Sequence, residues 1–334
     1  MPNTPASKQR NYTQDFIRAL AIFMVILLHI SAYFMGDNWH QLNGQFWSGT
    51  IFDAFTRVCV PLFVLSSGFF LIKENVEKVE VFFKKRTNKL LAPLVFWGLF
   101  YSEYSHNWHA TLTQISWSFL SGRPYYHFWF LFMLIGLYMV TPFINVLYNY
   151  YGLKKMNLLG LGLLALGMVV NLWSVRFGNP ALFVLWFIPY LGYFILGHTL
   201  PKMNYSIGRG VALTIYVAAS LGLVVAAYFA LIKAGNSEYA FDYLSPLVIV
   251  ASLGFYLFLA SFEMKENLIT RIAPFTLGIY LIHILFMERL FDITHMIIFG
   301  NGAADILALT LPVFLLSWFS VWLISKVPVL KRVI

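Results

Sequence analysis

The sequence predicts an all-α fold, a polytopic integral membrane bundle of about ten transmembrane helices. Hydrophobic residues make up 60% of the chain and charged residues only 11%, whereas a soluble domain carries about 25% charged residues. The apolar segments are continuous runs of roughly 17–23 residues, which is the length of a membrane helix and not of a barrel strand. Because a backbone in lipid must satisfy its own hydrogen bonds, helices are the remaining choice.

Ten apolar segments define the predicted spans. They cover residues 16–35, 50–72, 90–106, 126–147, 157–175, 181–200, 210–232, 244–262, 274–293 and 304–325. The connections are short, and the longest are residues 73–89 and 107–125. We therefore treat residues 1–334 as a single membrane domain, with residues 1–15 as a cytoplasmic N-terminal segment and 326–334 as a cytoplasmic C-terminal tail. The first span is too long for a removable signal peptide, so we expect it to be retained.

Lysine and arginine are concentrated on one side of the predicted membrane. With an even number of spans the two termini share a side, and seventeen Lys and Arg lie there, against Arg123, Arg176 and Lys233 in the opposite loops. Cytoplasmic loops carry the excess of basic residues, so both termini are predicted to be cytoplasmic in a cell (inner or plasma) membrane. The net charge of +9 then reflects topology, and we expect no nucleic-acid partner.

Three basic residues fall inside predicted spans: Arg18, Arg57 and Arg289. A charge at the centre of a bilayer costs about 2.5–3.5 kcal/mol or more, so such residues are functional candidates. Arg18 lies near the cytoplasmic end of its helix, where snorkelling to the headgroups is a sufficient structural explanation. Arg57 is deeper, and its alternative to a functional role is a structural ion pair with Glu103.

The depth of His29 points to a site in the outer half of the membrane. His29 follows Arg18 by eleven residues, which places it about 16 Å further along the helix, past the midplane. Arg57 reaches a similar depth, Glu103 and His127 lie near the outer ends of their spans, and the ninth span brings His283 to mid-membrane with Glu288 and Arg289 beyond it. We expect these groups to share one outward-facing cavity. His29 and His283 each have the alternative of a hydrogen-bonded interhelical residue, and Trp129 has that of an aromatic belt.

Motifs for other kinds of chemistry are missing from the sequence. A single cysteine, Cys59, leaves no metal cluster or disulfide framework. The chain contains no Gly-rich phosphate loop, metal-ligand spacing or serine-hydrolase elbow. We therefore expect no metal and no bound cofactor.

Five sequence blocks carry a family resemblance. The first helix reads D-F-I-R-A-L-A-I-F-M-V-I-L-L-H from Asp15 to His29, with ten residues between Arg18 and His29. It is followed by T-R-V-C-V-P-L-F-V-L-S-S-G-F-F over 56–70, F-F-K-K-R-T-N-K-L-L-A-P over 82–93, H-F-W-F from His127 and L-G-I-Y-L-I-H over 277–283. Together and in this order they resemble the acyltransferase-3 family, and most closely its short, stand-alone bacterial members, such as the one associated with O-acetylation of enterobacterial common antigen.

The resemblance implies an acyl transfer from cytoplasmic acyl-CoA, most simply acetyl-CoA, to a hydroxyl of a glycan or a lipid-linked sugar. It gives His29 the role of base or acyl carrier, with Arg18 and Arg57 as its catalytic partners. The remaining predicted site residues are Lys85, Arg86 and Lys89 for the donor phosphates and Glu103, His127, Trp129, His283 and Arg289 for the acceptor. Many members carry Arg-x-x-Arg where this chain has Arg86-Thr87-Asn88-Lys89, and lysine lacks the bidentate fork of arginine.

Two other functions fit ten helices with buried charges. One is a transporter or flippase for lipid-linked sugars, and the other is a catalytically silent membrane partner of the same fold. Release of free CoA in the presence of acceptor separates an acyltransferase from both. The pattern indicates no particular oligomeric state.

Overall fold

Every regular element in the described part of the chain is helical. A computed structural model describes residues 10–38, 41–74, 77–177, 183–203, 207–234 and 239–334. Residues 1–9 of the predicted N-terminal segment and the first two residues of the predicted span 181–200 lie outside these ranges. The helices are α1 (Tyr12–Asn38), α2 (Gly44–Thr56), α3 (Cys59–Leu71), α4 (Val79–Tyr104), α5 (Leu112–Leu120), α6 (Trp129–Phe177), α7 (Leu191–Thr199), α8 (Arg209–Ala234), α9 (Pro246–Ala260), α10 (Thr276–Thr294) and α11 (Gly302–Ile324).

Six helical segments of the described chain are long and apolar enough to cross a membrane. They are Tyr12–Gly36, Gly44–Leu71, Tyr126–Trp173, Arg209–Lys233, Thr270–Thr294 and Gly302–Ile324, and Pro246–Ala260 is a shorter apolar helix. The helical membrane fold is therefore confirmed. The count of ten spans and the orientation of the termini remain predictions.

Helix α6 contains two predicted spans, 126–147 and 157–175, and it folds back on itself between them. Gly152 has φ 73° and ψ 176°, which interrupts the helix. On the two sides of this glycine, Tyr148 packs on His198 and Asn157 bonds to Thr199. A Cβ on Gly136 would meet Phe187, and one on Gly167 would meet Pro189. Both halves therefore run along the same residues of the 187–199 segment in opposite directions.

The predicted span 50–72 breaks in the middle, between α2 and α3. Residues Arg57 and Val58 separate the two helices. Pro61 lacks the N–H that would bond to the carbonyl of Arg57, and its ring crowds that carbonyl. The proline four residues downstream therefore opens the helix where Arg57 stands.

The two longest predicted connections are largely helical. Helix α4 begins at Val79, so the basic residues at 84–89 belong to its first turns, whereas the predicted span begins only at residue 90. Residues 107–125 contain α5, which is capped by Thr111 and Gln114. The first part of α4 carries charged side chains and therefore lies outside the predicted apolar span, although the helix is continuous from Val79.

Helix α1 lies in the middle of the bundle. It contacts α2, α3, α9, α10 and α11, and Ile17, Ile22, Ile26 and Ile30 are fully buried along it. Helices α3 and α7 pack backbone to backbone, because a Cβ on Gly68 or Gly197 would overlap the facing carbonyl group. This close packing holds α3 in place next to α1.

Candidate functional site

A cavity of about 570 Å³ lies beside the outer half of α1, and we call it the outer cavity. Loops that precede or follow spans on the predicted outer side form most of its wall. The residues that line it include His29, Ala32, Arg57, Arg123, Tyr126, Trp129, Asn171, Trp186, Tyr190, Asp242 and Tyr243. The structure therefore brings three sequence-predicted site residues, His29, Arg57 and Trp129, into one cavity.

His29 presents its imidazole to the outer cavity. The side chain is half-buried, and its ring packs against Tyr126 at 5.5 Å and against His283 at 5.4 Å between ring centres. It makes no hydrogen bond to any residue that the structure describes. The alternative of a hydrogen-bonded interhelical histidine therefore does not describe His29 here, and its ring nitrogens are available to a substrate.

Two further histidines lie behind His29. His283 and His127 are 0% and 1% exposed, and their rings are 5.8 Å apart. Tyr280 joins them, because its hydroxyl donates to the carbonyl of His127 while its own carbonyl contacts Nδ1 of His283. Among the described residues, no group of three histidine, cysteine or acidic side chains has the arrangement of a metal site. The histidines therefore form a second layer beneath the cavity surface.

Arg57 pairs with Asp53 and not with Glu103, the partner that the sequence offered as a structural alternative. Its Nε donates to Oδ1 of Asp53 at 2.7 Å, one helical turn before it. The guanidinium also lies over the rings of Phe241 and Tyr243, at 4.9 and 5.4 Å. Glu103 instead accepts from the backbone N–H of Ala110 at 3.3 Å. Sequence reasoning missed Asp53, although its spacing of four residues from Arg57 is the spacing of an intrahelical ion pair.

The far wall of the outer cavity combines aromatic rings with polar groups. Trp129 stacks on Tyr243 with 5.6 Å between ring centres, and Arg123 lies over Trp186 at 5.2 Å. Asp242 is bound at one oxygen by the backbone N–H of Leu244 at 2.7 Å. Of these residues the sequence singled out Trp129 alone. The other wall residues are single polar or aromatic residues in loops between spans. A loop residue belongs to no hydrophobic periodicity, so the sequence pattern does not identify it.

Arg18 lies in a different cavity from His29. This inner cavity, of about 140 Å³, is lined by Arg18, Ser67, Tyr138, Thr276 and Tyr280 together with apolar side chains. Arg18 also pairs with Asp15, which Arg10 bonds from its other side. The separation of about 16 Å along α1 is therefore maintained in the fold, and Arg18 makes no direct contact with His29.

The inner cavity continues toward Arg86. A smaller space of about 100 Å³ is lined by Phe83, Arg86 and Met139, and it shares Leu90 and Tyr138 with the inner cavity. On the other side, an aromatic wall of Phe63, Phe130 and Tyr280 separates the inner cavity from the histidines. Its ring centres are 5.9 Å apart for Phe63 and Phe130 and 5.4 Å apart for Phe130 and Tyr280.

Two of the three predicted donor-binding residues have an acidic partner. Lys85 bonds to one oxygen of Glu77, and Nη1 of Arg86 lies 2.7 Å from the other. Hydrogen bonds from Lys85 and then Arg86 lower the pKa of Glu77 to about 2. Arg86 also lies over the ring of Phe82 at 4.2 Å, while Lys89 is exposed on the same helix.

Glu103 and Arg289 are not brought to the outer cavity. Neither is among the residues that line it. Arg289 is exposed near the end of α10, with Nη1 3.8 Å from Asp292. The predicted convergence therefore holds for His29 and Arg57 at the surface of the cavity and for His127 and His283 behind it, but not for these two residues.

The geometry supplies the groups that acyl transfer requires. A histidine with free ring nitrogens can take a proton from a hydroxyl, and the N–H groups of a nearby arginine can stabilise an oxyanion. Aromatic rings and polar side chains on one wall suit a ligand that has both apolar faces and hydroxyl groups. The outer cavity is therefore the candidate active site.

Comparison with known proteins identifies one family. The family model for the acyltransferase-3 proteins, described as an acyltransferase domain, matches residues 11–323. No curated protein matches the chain, and no solved structure does. The matched range includes all five sequence blocks, whereas the finer resemblance to the enzyme of enterobacterial common antigen stays a prediction.

Proposed function

Because the chain belongs to the acyltransferase-3 family, we propose that this membrane acyltransferase is an O-acetyltransferase. Its donor is cytoplasmic acetyl-CoA and its acceptor is a hydroxyl of a cell-surface glycan or a lipid-linked sugar, in the cell membrane. The observation that carries the proposal is His29, whose ring stands unbonded in a cavity with Arg57. Most of the remaining groups in this cavity serve to bind and orient.

The reaction begins when a ring nitrogen of His29 accepts the proton of the acceptor hydroxyl. The hydroxyl oxygen attacks the thioester carbonyl, and Arg57 donates hydrogen bonds to the oxyanion that forms. When the C–S bond breaks, the CoA thiolate takes the proton back from the His29 imidazolium. The acceptor leaves as an ester, CoA leaves as a free thiol, and the histidine returns to its neutral form. A route in which His29 carries the acyl group itself uses the same residue.

Arg57 acts in this proposal as a hydrogen-bond donor and not as a free charge. Asp53, in the last turn of α2, neutralises it, and the pair has no net charge. A neutral pair in a low-dielectric site costs less to bury than a lone cation, yet its remaining N–H groups keep their direction. The oriented N–H groups of Arg57 thus stabilise the oxyanion as it forms.

The donor enters from the predicted cytoplasmic side. Arg86, Lys85 and Lys89 present positive charge at the start of α4, and Arg18 stands in the cavity that continues from Arg86. We assign the phosphates of CoA to Arg86, Lys85 and Lys89, and the path of the pantetheine arm to the inner cavity. The aromatic wall of Phe63, Phe130 and Tyr280 must open for the thioester to reach His29.

The acceptor occupies the aromatic wall of the outer cavity. A sugar ring presents an apolar face that can stack on Trp129, and hydroxyl groups that Asp242 can bind. Arg123, at the same cavity, suits a phosphate or carboxylate on the acceptor. His127 and His283 contribute through the layer behind His29. The acceptor role predicted for Glu103 and Arg289 is not carried into this proposal.

The decisive experiment replaces His29. In purified protein supplied with acetyl-CoA and a glycan acceptor, His29→Ala should lower CoA release about 10²–10⁴-fold, the usual contribution of general acid–base catalysis. His29→Gln keeps hydrogen-bonding capacity without a titratable nitrogen, so it should fold and bind acetyl-CoA normally and still fail to turn over. His109→Gln, on an exposed loop residue, is the matched control and should retain full activity.

Two outcomes would contradict the proposal. Near-normal transfer by His29→Gln would remove His29 from the chemistry. Absence of CoA release by the native protein with a full range of glycan acceptors would favour a transporter or a silent partner of the same fold.

A further inference from the structure

The proposed function assigns no specific task to His283, a fully buried histidine behind His29. His283 lies on α10 with 0% of its surface exposed, and its ring centre is 5.4 Å from that of His29. It does not line the outer cavity, so a substrate bound there meets His29 first. The inference below rests on the proposed function and concerns what His283 does for His29.

The hydrogen bond of His283 fixes its tautomer. Nδ1 lies 2.7 Å from the carbonyl oxygen of Tyr280. A carbonyl oxygen only accepts, so Nδ1 carries the proton, and in the neutral ring Nε2 then carries a lone pair. Nε2 is buried and has no hydrogen-bond partner among the described residues. A buried acceptor without a donor costs free energy, so its retention calls for a partner that is present in the working site.

His29 is the nearer of the two imidazoles beside His283, with 5.4 Å between ring centres against 5.8 Å for His127. Two imidazoles whose nearest nitrogens are one hydrogen bond apart, about 2.9 Å, have ring centres at about the separation found here. The rings are inclined by 32°, so a rotation of the half-buried His29 ring brings an N–H of His29 onto Nε2 of His283. His283 itself is held by its bond to Tyr280 and by complete burial.

We propose that His283 is the positioning residue of the catalytic base: its Nε2 accepts a hydrogen bond from one ring nitrogen of His29 and thereby directs the other, unprotonated nitrogen at the acceptor hydroxyl. In a catalytic triad a carboxylate holds the base in this way. Among the described carboxylates, Asp53 is paired with Arg57, and Glu288 accepts a hydrogen bond from Tyr125 at 2.6 Å. A neutral histidine performs it without adding a charge to the membrane interior.

The proton inventory is balanced through the cycle. His29 begins neutral, with its single N–H donated to His283, and gains the acceptor proton at its other nitrogen. The resulting imidazolium keeps its bond to Nε2 of His283 and passes the new proton to the CoA thiolate. His283 remains neutral with its proton on Nδ1, so no charge moves further into the bundle.

Two substitutions at position 283 separate this role from packing. In His283→Gln the side-chain oxygen can occupy the position of Nε2 and accept from His29, whereas the bond to Tyr280 is lost. In His283→Asn the amide replaces Nδ1 and keeps the bond to Tyr280, but nothing remains at Nε2. A positioning role therefore favours Gln, and a structural role favours Asn.

Steady-state kinetics with acetyl-CoA and the glycan acceptor measure the difference. We expect His283→Asn to lower kcat on the order of 10²-fold with KM for both substrates within about twofold, and His283→Gln to recover most of the loss. Equal kcat values for the two variants, or higher activity in Asn than in Gln, would overturn the inference. His29→Gln in the same series keeps the tests distinct, because its retention of activity would contradict the proposed base whatever the His283 variants do.

Discussion

At the scale of single residues, the pairing of Arg57 with Asp53 has the largest energetic consequence. Both groups are buried, with side-chain exposures of 14% and 0%, and the second oxygen of Asp53 has no hydrogen-bond partner among the described residues. Taking both charges out of water is expensive, and their attraction offsets that cost only while both are present. The pair therefore constrains stability as well as chemistry.

Removing one member should destabilise the protein more than removing both. Asp53→Asn leaves a buried cation and Arg57→Gln leaves a buried carboxylate, and each loss of a partner costs about 3–5 kcal/mol. The double variant leaves no uncompensated charge. Thermal unfolding in detergent should show both single variants well below the native protein and the double variant above either single variant. Losses that simply add would contradict a coupled pair.

The residue-scale predictions from sequence succeeded where depth along a helix determined the answer. His29 and Arg57 could be placed in one cavity because helix rise fixes depth. Glu103 and Arg289 have suitable depths too, but depth leaves rotation about the helix axis undetermined. In the structure neither residue lines the outer cavity. Asp242 and Tyr243 lie in a loop, where no periodicity fixes position.

At the scale of elements, the apolar pattern located helices better than it located their ends. The span predicted to begin at residue 90 belongs to α4, which begins at Val79, because charge ends an apolar segment without ending a helix. Conversely, Pro61 breaks a continuous apolar segment at Arg57 without changing its hydropathy. The turn between the predicted spans 126–147 and 157–175 falls in the predicted connection, where Gly152 adopts a left-handed φ of 73°.

Two substitutions near the start of α4 test the proposed donor site, because they should change KM for acetyl-CoA in opposite directions. Arg86→Ala should raise KM for acetyl-CoA roughly tenfold, because a charge-assisted hydrogen bond is worth about 1.5–3 kcal/mol. Glu77→Gln should lower it, because Glu77 competes with the phosphates for Lys85 and Arg86. Lys84→Ala, on an exposed residue of the same helix, is the control for general loss of charge.

The effect of Glu77 should also be independent of pH in any ordinary assay. Its pKa is lowered to about 2, so the carboxylate is ionised at every pH above that value and its pairing is lost only when the pH falls through it. The ratio of KM between Glu77→Gln and the native protein should therefore be constant from pH 5 to pH 8. An unchanged KM in both Arg86→Ala and Glu77→Gln would mean that the basic cluster does not bind the donor and serves only to orient the protein in the membrane.

At the scale of the whole molecule, the proposed donor and acceptor sites lie at opposite ends of α1. The inner cavity and the space beside Arg86 lie at the end where Arg10 bonds to Thr270 at 2.9 Å and where Trp97 bonds to Val333 at 2.7 Å. The outer cavity lies at the other end, with His29. An acyl group taken up on one side and delivered on the other must pass the aromatic wall, so the orientation of the bundle determines where the acceptor is modified.

Accessibility of single cysteines tests that orientation together with the number of spans. The native Cys59 is fully buried and is replaced by Ala. Cysteines are then placed one at a time at Gln41, His109, Lys155 and Lys265, all of which are exposed. With cytoplasmic termini, ten spans and a turn at Gly152, an impermeant thiol reagent added to intact cells should label positions 41 and 109 only.

Position 155 is the most informative of the four, because it lies just after the turn in α6. If the two halves of α6 each cross the membrane, Lys155→Cys faces the cytoplasm and is labelled only after the cells are permeabilised, as is Lys265→Cys. Labelling of position 155 in intact cells, with 265 still protected, would mean that the first half of α6 does not cross. The outer cavity would then lose its assignment to the outside, since Trp129 and Asn171 come from the outer ends of these two halves.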